Sequence, residues 1–364
     1  MEREWSIRGY EEGDKEGNYA LGQCGRVSRT IIYVTNRLGL LDAYSFLREH
    51  LVGPQAAIVM YHRVGGPVYP WCLPSVMPQD FENQIRYLCS AYKVMALDEM
   101  ARYILRGEPL PKKAVAVTLD DGYKDNYLYA YPILKKYSVP ATIFLITGYI
   151  NGGELFWWDK VKYIVQYTTL ETLQLDELGI YSLRSTGDRL RAGSSIMVRL
   201  KEFSGEKRSI LLEELARISR VDINPNLGKE LILSWDEVRE MSNNGIAFGA
   251  HTVTHTILTK LPLDKARREI IESKLHVEER LDQAVTAFCY PNGKSTDFNN
   301  DIKEIVKESG FTCAVTFVPT PATPGADLYE LGRISLGWNL ATAKLSLCGL
   351  YPDVKNVLSR VKEM

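Results

Sequence analysis

From Ala56 onward the chain alternates short, continuously apolar runs with longer stretches whose apolar residues recur every three or four positions. The runs are AAIVMY (56–61), AVAVTL (114–119), ATIFLI (141–146), GIAFGA (245–250), VTAFCY (285–290) and TCAVTF (312–317). Between them lie the helical patterns DFENQIRYLCSAY, YLYAYPILKKYS, WDEVREMSNNG, DKARREIIESKLHVEERLD and FNNDIKEIVKESG. A strand that is apolar at every position is buried on both faces. Strands of that kind separated by helices predict a parallel α/β architecture. Six of them suit a barrel or an incomplete barrel better than a small open sheet. In either architecture ligands bind at the carboxyl ends of the strands, so chemistry is to be sought directly after each apolar run.

Three segments depart from this rhythm. Residues 151–232 hold FWWDKVKYIV, a polar section and the charged helical pattern VRLKEFSGEKRSILLEELARIS, with no clear buried strand. They predict a largely helical insertion, either a wall or lid at the C-terminal face or a peripheral elaboration. Residues 1 to about 25 are polar and rich in Gly and Glu, and read as a tail. Residues 27–51 show helical spacing interrupted near Gly39. They predict a helix that packs on the domain or lies on a membrane surface with Arg26, Arg29 and Arg37 toward the headgroups. The expected division is therefore an N-terminal tail and helix (1–55), a barrel (56–345) carrying the insertion, and a C-terminal helix (346–364).

Composition narrows the class. A chain of 364 residues with 45% apolar and 24% charged residues buries a sizeable core without staples. Lys plus Arg is 44 and Asp plus Glu is 45, so the basic excess expected of a nucleic-acid binder is missing. The six cysteines are scattered with no Cys-x-x-Cys pair, which argues against a disulfide framework or a thiolate zinc site and fits a reducing compartment. The polar, acidic start lacks the pattern of a secretory signal, and no apolar run approaches the roughly 18 residues of a membrane helix. The expectation is a soluble cytoplasmic protein, with peripheral membrane contact through the first helix as a variant of it.

Two strand ends carry chemistry. In VAVTLDDGYKDN (115–126), Asp120 and Asp121 follow an apolar strand and Gly122 turns the chain. Adjacent carboxylates repel, and need a cation or unequal protonation. One can bind a metal while the other serves as a base; a plain Asp-Gly turn with a helix cap is the competing reading. In GAHTVTHTILTKL (249–261), His251 and His255 follow another strand. A spacing of four predicts both rings on one face of a helical turn, close enough to share one ion. Asp121, His251 and His255 together would leave coordination positions open, as a catalytic metal does. Such a metal lowers the pKa of water, and Asp120 is placed to take the proton. Zinc suits these ligands, with cobalt, nickel, manganese and iron as other occupants.

TLDDGYKDN followed by HTVTH resembles the polysaccharide deacetylase family, also called the NodB-homology or carbohydrate esterase family 4 enzymes. The family's first motif reads Thr-Phe-Asp-Asp-Gly, with Leu119 here in place of Phe. Its second reads His-Ser/Thr-x-x-His, matched by His251, Thr252 and His255, and its third corresponds to FCYPNGK (288–294). The resemblance covers residue 56 to about 340 apart from the insertion. It implies a distorted parallel (β/α) barrel and metal-dependent hydrolysis of N-acetyl or O-acetyl groups on sugars. It implies Asp120 as general base and Asp121, His251 and His255 as ligands of one divalent ion. It further implies the Tyr290 backbone N–H as an oxyanion donor, with Pro291 beside it at the substrate. The family's groove-lining Asp-plus-Trp motif finds a counterpart in FWWDK, making Trp158 and Asp159 candidate sugar contacts. Core aromatics with a helix-start Asp are the alternative there. Tyr61, Trp71 and Tyr123 are further aromatics near the same mouth.

The chain departs from the family pattern twice. Many members protonate the leaving amine with the His of a late Leu-x-Leu-His motif. The nearest equivalent here, ELGRISLGW (330–338), has Gly337 at that place, and no histidine follows His276. His62 closes the run AAIVMYH and is the candidate replacement; a strand-end His bonded to backbone is the other reading. The third motif also lacks the Arg that orients the base. Arg333 in ELGRISL is expected to reach that carboxylate from another strand, against the alternative of a structural ion pair. Cys289 reads as a buried core thiol. The predicted function is a metal-dependent carbohydrate N-deacetylase acting on a polysaccharide or a glycan precursor, with an intracellular substrate favoured by the polar N-terminus. The rivals are a hydrolase of non-sugar amides and a non-catalytic sugar-binding protein.

Overall fold

The computed structural model of the chain describes residues 56–65 and 76–348, with scattered residues between 35 and 47. The expected N-terminal tail and helix, Trp71, and nearly all of the expected 346–364 helix lie outside the described residues. The described residues fall into two compact units, one made of residues 153–230 and the other of the remainder.

In chain order the strands are β1 (Ala57–Tyr61), β2 (Lys93–Val94), β3 (Ala114–Leu119), β4 (Ala141–Leu145), β5 (Thr172–Leu175), β6 (Gly179–Ser182), β7 (Ala247–Ala250), β8 (Ala287–Cys289), β9 (Cys313–Val315) and β10 (Ile334–Ser335). The larger unit holds all of them except β5 and β6. Its sheet runs β10-β1-β3-β4-β7-β8-β9, with β2 paired to β3, and every pair is parallel. All six apolar runs become strands. Every residue of β1, β3, β4, β8 and β9 is buried, as strands covered on both faces require. β2 and β10, with two residues each, leave no periodic signal in the sequence. One segment draws the sheet's edges together: Leu331 pairs with Val315 of β9, and Ile334 pairs with Val59 of β1. The result is a distorted parallel barrel.

Helices α1 (Pro78–Ala91), α2 (Leu97–Leu105) and α3 (Tyr131–Lys136) connect the first strands. A π-helical turn over Asn126–Ala130 leads into α3, a form that often accompanies functional sites. The smaller unit contains α4 (Trp157–Tyr167), α5 (Thr186–Leu200) and α6 (Gly205–Ser219) around its own core, in which Val161, Ile164, Leu173, Ile196, Leu200 and Leu215 are buried. It also contains an antiparallel hairpin, β5–β6, which the expectation of a largely helical insertion without a clear buried strand does not include. β5 buries only alternate residues over four positions, too short a pattern to stand out in the sequence.

Candidate active site

The two neighbouring carboxylates after β3 are separated by the backbone. Asp120 extends the pairing of β3 with β1, its N–H donating to the Tyr61 carbonyl at 2.9 Å. Asp121 then takes a left-handed conformation (φ 75°), as does Gly122 (φ 83°). Asp tolerates this region better than most residues, and at Gly122 a Cβ would lie 2.9 Å from the Leu145 side chain. The two acids consequently have different partners, which answers the repulsion expected of adjacent charges.

Asp120 is held by Arg333, which precedes β10. Nη1 donates to Oδ1 and Nη2 to Oδ2, both at 2.7 Å, and both side chains are buried. The same guanidinium donates from Nε to the Thr316 carbonyl at 3.0 Å and from Nη1 to Thr118 Oγ1 at 3.1 Å. Burial alone would raise the Asp120 pKa; the Arg333 charge and hydrogen bonds more than offset it and bring the pKa down to about 2. The sequence-predicted Arg333 thus lies on the predicted base.

Asp121 faces the two histidines. Its Oδ1 is 3.6 Å from His251 Nε2 and 3.7 Å from His255 Nε2. The rings do not come from one face of a helical turn, as the spacing predicts. Residues 251–257 are irregular, and Thr252 (φ 64°) and His255 (φ 58°) are left-handed. For a β-branched residue such as Thr252 this is strained, of the order of 1–3 kcal/mol, and persists only where surrounding bonds fix it. They do so here: Thr147 N–H donates to the Thr252 carbonyl, Thr252 Oγ1 accepts from His255 N–H, and Glu269 accepts from the amides of Val253 and Thr254. His251 Nδ1 lies 2.7 Å from the Cys289 carbonyl, which can only accept, so Nδ1 carries the proton and Nε2 presents its lone pair. Burial lowers the His251 pKa to about 4 and keeps the ring neutral.

This donor set fits a divalent ion. Ligand atoms about 2.0–2.2 Å from a tetrahedral metal stand about 3.4 Å apart, close to the separations between Asp121 and the two imidazoles. A second cluster, Asp120, His251 and Cys289, is also compact. Its chemistry is less suitable, because burial pushes the Cys289 thiol far above its ordinary range and Arg333 already binds both Asp120 oxygens. Cys289 is buried as expected, but it sits within the site, its Sγ 3.1 Å from Arg333 Nη2.

His62 also reaches this centre. Its Nε2 is 3.9 Å from Asp120 Oδ2, and its side chain is 31% exposed. Asn126 Nδ2 donates to the His62 carbonyl at 3.0 Å, while Asp125 accepts from Arg63 Nε at 2.7 Å and from the Val64 amide at 3.3 Å. The sequence reading missed this clamp, although both residues stand in the TLDDGYKDN segment; two polar residues directly before a helical pattern were the available signal.

Other expectations meet a different structure. The Tyr290 N–H donates to the Val315 carbonyl at 3.3 Å, because β8 and β9 keep pairing one residue beyond Cys289. Its ring stacks on Phe298 in the core and its hydroxyl donates to the Tyr329 carbonyl, so the expected oxyanion donor is engaged in the sheet. Pro291 is buried in the following turn. Asp159 is buried in the smaller unit, accepting from Lys162 Nζ at 2.8 Å, and Trp158 stacks on Phe156 there. These are partners of the kind the core-aromatic and helix-start reading expects. Tyr61 and Tyr123 are buried as well.

A carboxylate orientated by a buried guanidinium, next to a two-His, one-carboxylate cluster at the C-terminal ends of parallel strands, marks a hydrolytic barrel enzyme. The sequence profile of the polysaccharide deacetylase family matches residues 107–171 and 214–314, on either side of the middle of the smaller unit. The putative polysaccharide deacetylase YxkH of Bacillus subtilis is 23% identical over 280 residues, 76% of this chain and 70% of that protein. The poly-beta-1,6-N-acetyl-D-glucosamine N-deacetylase of Staphylococcus epidermidis is 30% identical over 190 residues, 48% of this chain and 60% of that one. Two solved structures share the fold. The Streptococcus pyogenes deacetylase PplD has a TM-score of 0.54 at 23% identity, covering 80% of this chain and 96% of its own. IcaB from Ammonifex degensii has a TM-score of 0.52 at 18% identity, covering 82% and 97%. Over the matched residues, just under half of its length, the chain is similar to the polysaccharide deacetylase family.

Proposed function

We propose that the chain is a metal-dependent carbohydrate N-deacetylase that cleaves an acetamide on an N-acetylhexosamine glycan to a free amine and acetate, with zinc as the metal. The observation that carries the reading is the pairing of Asp120 with Arg333 beside the Asp121, His251 and His255 cluster. A divalent ion held by those three side chains supplies Lewis acidity, acidifying water and polarising the acetamide carbonyl. Asp120 accepts the proton of the attacking water; each carboxylate oxygen keeps a lone pair besides the one directed at Arg333. With its pKa near 2, Asp120 is a weak base, and works only on water that has already been acidified. Arg333 fixes the carboxylate plane so that this proton moves along one direction. As the new C–O bond forms and the C–N bond breaks, His62 donates a proton to the departing nitrogen. Its partial exposure lets it recover that proton from solvent. The staphylococcal relative's name supports an N-acetylglucosamine polymer as the substrate class.

The test is metal content of the purified protein beside that of His251→Ala, paired with acetate release from β-1,4- and β-1,6-linked N-acetylglucosamine oligomers. One metal per chain, lost in the variant together with acetate release, is the expected result. Failure to bind any divalent ion would sink the mechanism. His62→Ala is expected to lower turnover about a hundredfold with metal content unchanged. It should also remove the fall in rate at alkaline pH, because a His acid works only while protonated. Near-normal turnover with that limb intact would assign the proton to another group.

A further inference from the structure

The rim of the barrel carries an aromatic residue to which the mechanism gives no task. Met60 of β1 pairs with Thr118 of β3 on one side and with Ser335 of β10 on the other. Two residues further along each strand stand His62, Asp120 and Gly337, so the three lie at one level of the barrel mouth. On the β3 side the bond from Asp120 N–H to the Tyr61 carbonyl continues the pairing. On the β10 side a bridge through a buried side chain holds the level: Gln84 of α1 accepts from the Tyr61 hydroxyl at 2.8 Å and donates to the Gly337 carbonyl at 3.3 Å. Gly337 (φ 72°) then turns the backbone, and the next residue is Trp338. Neighbouring strands are about 4.8 Å apart, which sets Trp338 at the rim two strands from Asp120, with His62 between them.

Trp338 is 44% exposed, whereas Trp157 and Trp235 are buried and Trp158 is half-buried within the smaller unit. A large indole kept on the surface at a substrate mouth, on a turn tied to α1 by the Gln84–Gly337 hydrogen bond, is a preorganised apolar face. The C–H face of a pyranose is the complementary surface, and its hydroxyls stay in water when it stacks there. We propose that Trp338 is the platform on which the sugar ring next to the reacting N-acetylhexosamine stacks. The inference rests on the carbohydrate reading above and deepens it by assigning a binding subsite for an oligosaccharide.

Calorimetric titration of metal-loaded protein with β-1,4- and β-1,6-linked N-acetylglucosamine tetramers tests it, alongside acetate release and hydrolysis of 4-nitrophenyl acetate. Trp338→Ala is expected to bind the oligomers about tenfold more weakly and to raise KM with little change in kcat. Trp338→Phe should keep most of the affinity, since an aromatic face remains. Hydrolysis of the small ester should be unchanged in both variants, which separates loss of a platform from damage to the centre. Equal oligomer affinity in wild type and Trp338→Ala overturns the proposal, as does absence of oligomer binding by the wild type. If the wild type binds oligomers through Trp338 but releases no acetate, the deacetylase reading fails and the platform stands.

Discussion

Asp120→Asn is expected to reduce acetate release by about a thousandfold while the metal stays bound. The substitution preserves shape but removes the proton acceptor. It also places an amide NH2 before the Arg333 guanidinium, which donates to both carboxylate oxygens at 2.7 Å. A buried cation loses half of its partner, so stability falls by about 3 kcal/mol, the order seen when a buried pair is broken. Three measurements on the variant keep these effects apart: turnover, metal content and thermal unfolding. The metal content also decides between the two compact clusters in the barrel. If the ion sits among Asp121, His251 and His255, it survives the change at position 120. Loss of the ion with Asp120→Asn would move it to Asp120, His251 and Cys289, and turnover within tenfold of wild type would remove Asp120 from the chemistry.

The contrast between what is and is not legible in the sequence follows the range of the interactions. β1, β3 and β4 are apolar throughout because both faces are covered, and a purely local pattern records that. Asp121 and His251 of the candidate metal site are legible because they stand within two residues of a strand end, where backbone direction and the start of a turn are local too, and His255 is legible through its spacing from His251. Their geometry is not. The spacing of His251 and His255 suggests a helical turn, whereas the two rings converge through left-handed residues whose strain is offset by bonds to Thr147 and Glu269 from elsewhere in the chain. The Tyr290 amide depends on where β8 and β9 stop pairing, a property of two strands together. Asp159 shows the same limit: its neighbours in sequence suit a sugar groove, but Lys162, one turn along α4, takes its charge. Arg333 is the exception among distant contacts. The resemblance calls for an Arg that orients the base, the third motif offers none, and Arg333, just before the edge strand β10, supplies it.

Arg333→Met is expected to invert the pH dependence of stability as well as to slow the reaction. In the wild type the Asp120 pKa lies near 2, below its ordinary value of 3.8. A depressed folded-state pKa contributes stability above pH 3.8, and that contribution is lost as the pH falls toward 2. Removing the guanidinium leaves burial as the dominant influence, so the carboxyl pKa rises above its ordinary value. The folded variant then binds more protons than the unfolded chain, and its stability falls as the pH rises above 3.8 toward the raised pKa. Thermal unfolding between about pH 4 and pH 7 should show a loss of about 3 kcal/mol at the upper end, shrinking toward the lower. The acid limb of the rate profile should shift to higher pH in the same variant, because Asp120 must be ionised to accept a proton. Arg333→Lys separates charge from shape. The ammonium restores the cation but not the fork that reaches Oδ1, Oδ2, Thr118 and Thr316 at once. It should recover most of the stability and leave turnover well below wild type, since a carboxylate held by a point charge is free to rotate. Recovery of both would reduce Arg333 to a counter-charge and leave the orientation of the base to the sheet alone.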